Sequence, residues 1–179
     1  TYKGEEFKIS LKGDFQIENS LVAIECIKNS GFDISYDSIF KGLKNTSFPA
    51  RLEVISEKPL VLLDGAHNPD GARVLAKEIG KLAEKPVAII GMMRDKSACE
   101  VLETVLKNCK SAIAVAVPNN PRSFKAEELC LTAQKYCPCI TADSLPSALE
   151  KAEGEDIAVF GSLYLASSIR PLLLKKYKI

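Results

Sequence analysis

The run Leu63-Asp64-Gly65-Ala66-His67-Asn68-Pro69-Asp70-Gly71 decides how this chain is read. It follows an apolar, strand-like run, Pro59-Leu60-Val61-Leu62, and opens an amphipathic helix. A strand that turns tightly into a helix N-terminus is the repeating unit of α/β folds. The unpaired N–H groups at such a helix start favour an anionic ligand. The run also holds His67, the only histidine of the chain. A carboxylate, an imidazole and an amide thus fall within residues 64–68, where α/β folds place their chemistry.

The helix start is legible residue by residue. Asn68 suits the N-cap, because its side-chain oxygen can accept an orphan backbone N–H. Pro69 suits the first helical position, where no N–H is needed. Asp70 complements the positive end of the helix dipole. Ala72, Leu75, Ala76, Ile79, Leu82 and Ala83 recur at helical spacing and predict one buried stripe. Gly80 weakens that helix. A purely structural reading, in which Asp64 and Asn68 only turn and cap the chain, stands beside the functional one.

Outward from this run the chain alternates. Strand-like runs are Leu52–Ile55, Leu60–Leu63, Val87–Ile90, Ala112–Val117 and Ile157–Phe160, with Cys139–Thr141 as a short sixth. Helical stripes separate most of them: Ala98, Val101, Leu102, Val105 and Leu106; Ala126, Leu129, Cys130 and Ala133; Ala148, Leu149 and Ala152; and Leu163, Ala166, Ile169 and Leu173. The rhythm predicts an α/β fold, a Rossmann-like, mainly parallel sheet with helices on both faces. Ligands bind beyond the carboxyl ends of such strands. Four polar clusters fall there: Asp64–Asn68, Gly91–Ser97, Pro118–Ser123 and Gly161-Ser162. Ser97 and Glu100 have capping-box spacing, which makes Ser97 a cap rather than a nucleophile. Ser162 can cap the last helix or offer its hydroxyl to a carboxylate or phosphate. Pro171 is expected to kink or interrupt that helix.

The first stretch reads differently. Phe7–Leu11 alternates like a half-buried strand, Ile17, Leu21, Ile24 and Ile27 form a helical stripe stopped by Gly31, and Ser35–Leu43 suggests a second helix. A strand and two helices bury little core of their own. Residues 1–45 are therefore expected to be the tail of a domain lying upstream, residues 46–50 a linker, and residues 51–179 the α/β domain.

Composition narrows the function. The 179 residues carry a net charge of +1, with no basic stripe of the kind that nucleic acid requires. No apolar run reaches membrane-spanning length, and residues 1–6 do not resemble a signal peptide, so a cytoplasmic protein is expected. The six cysteines include one C-x-C, Cys137-Pro138-Cys139, but no paired second cluster, and they read as reduced, packed thiols rather than a metal site. The chain has no G-x-x-x-x-G-K-[ST] loop, no G-x-G-x-x-G and no G-x-S-x-G.

Several ordered elements resemble the C-terminal part of folylpolyglutamate synthase/dihydrofolate synthase, in the Mur ligase superfamily. Asp64-Gly65-Ala66-His67-Asn68-Pro69 matches that family's D-G-A-H-N-P signature, and Arg51-Leu52-Glu53 its G-R-L-E element. Leu11–Ser20 resembles L-x-G-x-H-Q-x-x-N-A, Asp95-Lys96 matches D-K-D in part, and Gly161–Tyr164 matches G-S-L-Y. Phe15 stands where the family has histidine, Ser20 where it has alanine, Ala50 where it has glycine, and Ser97 where it has the last aspartate of D-K-D.

The resemblance implies an ATP-dependent ligase that adds L-glutamate to a folate or dihydropteroate carboxylate through an acyl phosphate. It implies ATP and magnesium as cofactors, the metal being held mainly by an N-terminal ATPase domain that is also the expected partner of this chain. The chain would then be a C-terminal fragment, inactive alone. By the same resemblance Asn19 and Gln16 would contact adenine, Arg51 the nucleotide phosphates and Asp64 the ribose. His67 and Lys96 would serve catalysis, and Arg122 and Ser162 would hold the incoming glutamate. Another Mur-type amino-acid ligase of cell-wall synthesis and a non-catalytic nucleotide-binding domain are the alternatives.

Overall fold

The computed structural model describes residues 1–94 and 97–177. By its internal contacts the chain divides into two compact units, Thr1–Arg51 and Leu52 onward.

The first unit is helical. Helix α1 spans Phe15–Lys28 and α2 spans Tyr36–Asn45. Gly31, at φ +84°, follows α1 and turns the chain where the sequence predicts a stop. Ser35 caps α2 by accepting the Ser38 N–H at 3.2 Å. Tyr2, Ile24 and Ile39 form the buried centre, ringed by half-buried Phe7, Leu21, Ile27, Ile34, Tyr36, Phe40 and Leu43. The strand expected at residues 7–11 does not form. A strand needs a hydrogen-bonding neighbour, and this unit holds none among the described residues. Phe7 instead stacks on Phe40 with ring centroids 5.2 Å apart.

The second unit is the predicted α/β fold. Its elements are β1 (Glu53–Glu57), β2 (Leu60–Leu63), α3 (Pro69–Ile79), β3 (Val87–Ile90), α4 (Ala98–Leu106), β4 (Ser111–Val115), α5 (Ala126–Ala133), β5 (Cys139–Ala142), α6 (Leu145–Lys151), β6 (Ile157–Phe160) and α7 (Leu163–Tyr177). They build a six-stranded sheet of order β1-β2-β6-β3-β4-β5, in which only β1 runs antiparallel to its neighbour. Strands β3 and β6 are buried at every residue, as a sheet covered on both faces requires.

Handedness sorts the helices. The connections β2 to β3, β3 to β4 and β4 to β5 all advance in one direction across the sheet. Right-handed crossovers therefore put α3, α4 and α5 on one face, where α3 packs on α4 and α4 on α5. The return from β5 to β6 runs the other way, which puts α6 on the opposite face. The chain reverses at β6, so the crevice of this sheet opens at the carboxyl end of β6, between β2 and β3.

Three local expectations are corrected. Helix α3 ends at Ile79, with Gly80 as its C-cap, so Leu82 and Ala83 do not extend its stripe. Gly80 interrupts a helix that had little else to hold its last turn. Ser97 stands at the N-cap of α4, but with helical backbone angles (φ −90°, ψ −9°) and no side-chain cap bond; a capping side chain needs an extended backbone to reach forward. Pro171 does not break α7, which continues to Tyr177. Pro171 and Ser167, whose carbonyl Pro171 cannot satisfy, are both exposed, so water can take up that acceptor.

All six cysteines are free. Cys109, Cys130, Cys137 and Cys139 are buried; burial pushes the Cys109 thiol up to about 12 and raises Cys137 and Cys139. These are packed thiols kept protonated at neutral pH. Among the described residues no helix is long and apolar enough to cross a membrane.

Candidate active site

Four strand ends meet at the crevice beside β6. A cavity of about 440 Å³ opens at the amino ends of β3 and β4, lined by Val87, Lys110, Gln134 and others, but it holds none of the chemistry-bearing loops. The functional candidate is smaller, about 270 Å³, and is lined by His67, Met93, Arg94, Arg122, Gly161, Ser162, Leu163 and Tyr164. These residues come from the β2–α3, β3–α4 and β4–α5 loops and from the β6–α7 turn. The expectation that those clusters share one edge of the sheet is met, and His67, Arg122 and Ser162 are brought together.

The β2–α3 loop is built by its own polar groups. Asp64 is half-buried; its Oδ2 accepts the Leu52 N–H at 2.7 Å and its Oδ1 the Ala66 N–H at 2.7 Å. Asn68 caps α3 by accepting the Gly71 N–H at 2.8 Å, and Pro69 follows at the first helical position. The turning and capping roles weighed for Asp64 and Asn68 are thus both realised. They hold His67 at the cavity rim. Its Nδ1 lies 2.8 Å from the Gly65 carbonyl. A carbonyl only accepts, so Nδ1 carries the proton, and neutral His67 presents Nε2 as a lone pair.

Ser162 is almost fully buried, and its Oγ accepts the Tyr164 N–H at 3.0 Å. That bond caps α7 and leaves the hydroxyl proton to donate. The preceding Gly161 stands at φ +118° and donates its N–H to the Ala66 carbonyl at 2.9 Å, joining the turn to the His67 loop.

Arg122 is exposed, and among the described residues its guanidinium has no ion-pair partner. Its loop is fixed from beneath by buried Ser123, whose Oγ accepts the Val117 N–H and donates to the Phe124 carbonyl, both at 2.8 Å. Arg94 is a lining residue that sequence reasoning did not select. The signal that marks it is the Glu128 carboxylate 2.6 Å from its Nη2, and Glu128 lies 34 residues along the chain. Lys96, expected in catalysis, and Asp95 lie outside the described residues.

The residues expected to meet nucleotide fall in both units. In the first, Asn19 Nδ2 donates to Gln16 Oε1 at 3.1 Å. Gln16 is 4% exposed, and its Nε2 is buried without a hydrogen-bond partner. A buried unpaired amide costs about 1–3 kcal/mol, so such groups call for an explanation. The Arg51 guanidinium lies 5.7 Å from the Phe15 ring centroid and 5.8 Å from that of Phe48, a cation–π sandwich. Asp64 belongs to the second unit. Among the described residues no three His, Cys, Asp or Glu side chains converge as a metal ion would require.

Comparison with known proteins agrees with the motifs. Residues 50–163 match the Mur ligase, glutamate ligase domain. The chain is 31% identical over 184 residues to the folylpolyglutamate synthase of Lacticaseibacillus casei, covering 97% of this chain and 43% of that protein. A crystal structure of folylpolyglutamate synthase from Thermotoga maritima superposes with a TM-score of 0.81 at 29% identity, over 96% of this chain and 41% of that one. The Mycobacterium tuberculosis folylpolyglutamate synthase complexed with ADP and AMPPCP has the same fold, with a TM-score of 0.85 at 24% identity, over 94% of this chain and 42% of that one. The chain thus spans less than half the length of these relatives.

Proposed function

The chain belongs to the Mur ligase family, as a glutamate ligase domain, and from that premise we propose that it is the amino-acid-accepting part of an ATP-dependent ligase that joins L-glutamate to a folate or dihydropteroate carboxylate. One observation carries this reading: His67, Arg122 and Ser162, far apart in sequence, line a single cavity of about 270 Å³ at the carboxyl edge of the sheet. Its cation and donors suit a small amino acid with carboxylates, and its imidazole suits the attacking amine.

The chemistry follows from those groups. A carboxylate is a poor electrophile, so ATP first converts it to an acyl phosphate and ADP. The glutamate amine then attacks the acyl carbon, phosphate leaves, and the nitrogen loses a proton. His67, with Nδ1–H held by the Gly65 carbonyl, points the way for that proton: Nε2 can accept an N–H of the amine and orient its lone pair. Arg122 pairs with a glutamate carboxylate and Ser162 donates its hydroxyl to one. Lys96 is proposed beside them on sequence grounds alone.

The nucleotide is assigned by complementarity. Adenine presents a donor beside an acceptor, and an amide side chain matches that edge. The orphaned Gln16 Nε2 and the Asn19 Oδ1, which accepts no bond among the described residues, supply donor and acceptor. Arg51, kept extended between two aromatic rings, is the phosphate contact. Asp64 commits one lone pair of each oxygen to backbone and keeps the others for ribose hydroxyls. The M. tuberculosis relative is complexed with ADP and AMPPCP. Magnesium enters no step here, because the described residues offer it no cage. With no phosphate-cradling loop in its sequence, the chain is proposed to act joined to an ATPase domain and to be inactive alone.

The test uses the full-length protein that carries this chain. Phosphate release should require ATP, glutamate and a pteroate or folate together. His67→Ala should lower turnover about a hundredfold with an unchanged fold by circular dichroism. ATP binding without glutamate-dependent phosphate release would make this a nucleotide-binding module instead. Near-parental turnover in His67→Ala would remove the imidazole from the reaction.

A further inference from the structure

Resting on the reading of this cavity as the glutamate site, we infer that Arg94 is a second, preorganised carboxylate-binding residue, and that Arg94 and Arg122 together select an amino acid with two carboxylates.

The geometry carries the argument. Arg94 and Arg122 line the same cavity from adjacent loops. The two loops are stitched back to back: the Arg94 N–H donates to the Arg122 carbonyl at 2.8 Å, Met93 and Ser123 form a β-bridge, and the Phe124 N–H donates to the Met92 carbonyl at 2.9 Å. Their spacing is therefore set by backbone rather than by two free side chains. The Arg94 side chain is held as well. Its Nη2 donates to Glu128 at 2.6 Å, its Nε to the Ser123 carbonyl at 3.2 Å, and its guanidinium carbon lies 5.8 Å from the Phe124 ring centroid. Glu128 is itself tethered by accepting the Lys125 N–H at 3.3 Å, at the start of α5.

An ordinary surface ion pair would satisfy Glu128 alone and leave the arginine mobile. Here three partners fix the plane of the guanidinium. Nη1 makes no hydrogen bond among the described residues. A planar, prepositioned fork with one uncommitted edge is the group that binds a carboxylate at low entropic cost. Glu128 plays the positioning part, since it touches Arg94 and is absent from the cavity lining. Glutamate brings two carboxylates to two guanidinium groups. Glutamine, equal in shape, would leave one guanidinium without its anion, which is how a site rejects a close analogue.

Arg94→Gln, Arg122→Gln and Arg73→Gln are compared in the full-length protein. Arg73 is a control, because it pairs with Asp70 on α3 and does not line the cavity. Arg94→Gln should raise KM for glutamate about tenfold to a hundredfold, as expected for losing a charge-assisted bond to substrate. The change in kcat and in KM for ATP should be much smaller, and the preference for glutamate over glutamine should fall by a similar factor. Arg73→Gln should change neither. If Arg122→Gln raises KM for glutamate and Arg94→Gln leaves it at the control value, the inference fails while the glutamate site stands. If the parent protein shows no glutamate-dependent phosphate release, the reading of the cavity fails and the inference with it.

Discussion

Gly161 shows how narrowly single residues define this site. At φ +118° it occupies a conformation that side chains with a Cβ rarely adopt. A Cβ there would also lie 2.7 Å from Met92 Cγ and 2.9 Å from the Gly91 carbonyl oxygen. Both effects act on the turn that presents Ser162. Gly161→Ala should therefore cost about 1–3 kcal/mol by urea unfolding, and it should weaken glutamate binding through a displaced Ser162. A variant with parental stability and parental KM would show that the turn relaxes freely. At this scale the sequence was informative wherever chemistry and strand ends coincide, as at His67, Arg122 and Ser162. It was silent on Arg94, because what singles Arg94 out is a carboxylate 34 residues away that only the fold brings near. Ala50 is a related case: it holds φ +57° where the resembled family has glycine, and no sequence pattern reports that angle.

Elements were legible from periodicity, and their failures have local causes. Every strand of the sheet was anticipated to within about two residues, as expected of apolar runs between turn signals. The misread strand at residues 7–11 had the right alternation but no neighbour to pair with, a fact that periodicity cannot contain. What the pattern also could not show is the tie between the first strand and the last helix. Arg170 on α7 grips Glu53 on β1 through Nε at 2.9 and 3.2 Å and Nη2 at 2.8 Å. The Glu53 carboxylate holds the Arg170 guanidinium above its usual range, chiefly through that hydrogen bonding. The glutamate of the Arg51-Leu52-Glu53 element is thus structural, tying the edge strand to the sheet's final helix. Both groups are partly buried, at 17% and 32% side-chain exposure, so screening reduces the pair less than at an open surface. Glu53→Gln should destabilise the second unit by about 1–3 kcal/mol in urea, with Arg170→Gln adding little to it. Full additivity of the two substitutions would mean that the pair contributes nothing as a pair.

At the scale of the whole chain the two units differ in how much core they hold. The first unit centres on three buried residues, Tyr2, Ile24 and Ile39, with its other apolar groups only half-covered. The second buries both faces of a six-stranded sheet, with Phe160, Ile89, Ile90, Leu102, Leu106 and Ile157 nearly inaccessible. Stability grows with the apolar area removed from water, and a segment of about 50 residues removes little. The sequence already hinted at this, since a strand and two helices were too few to enclose a core. The consequence is measurable by native-state hydrogen exchange on this chain. Amides of α1 and α2 should exchange through openings of much lower free energy than those of β3, β4 and β6. Adding ATP to the full-length protein should raise protection in α1 first, if Gln16 and Asn19 hold adenine, because a ligand stabilises the state it binds. Equal protection in both units without nucleotide would show that the chain opens as one cooperative body, and the small core of the first unit would then need another source of stability.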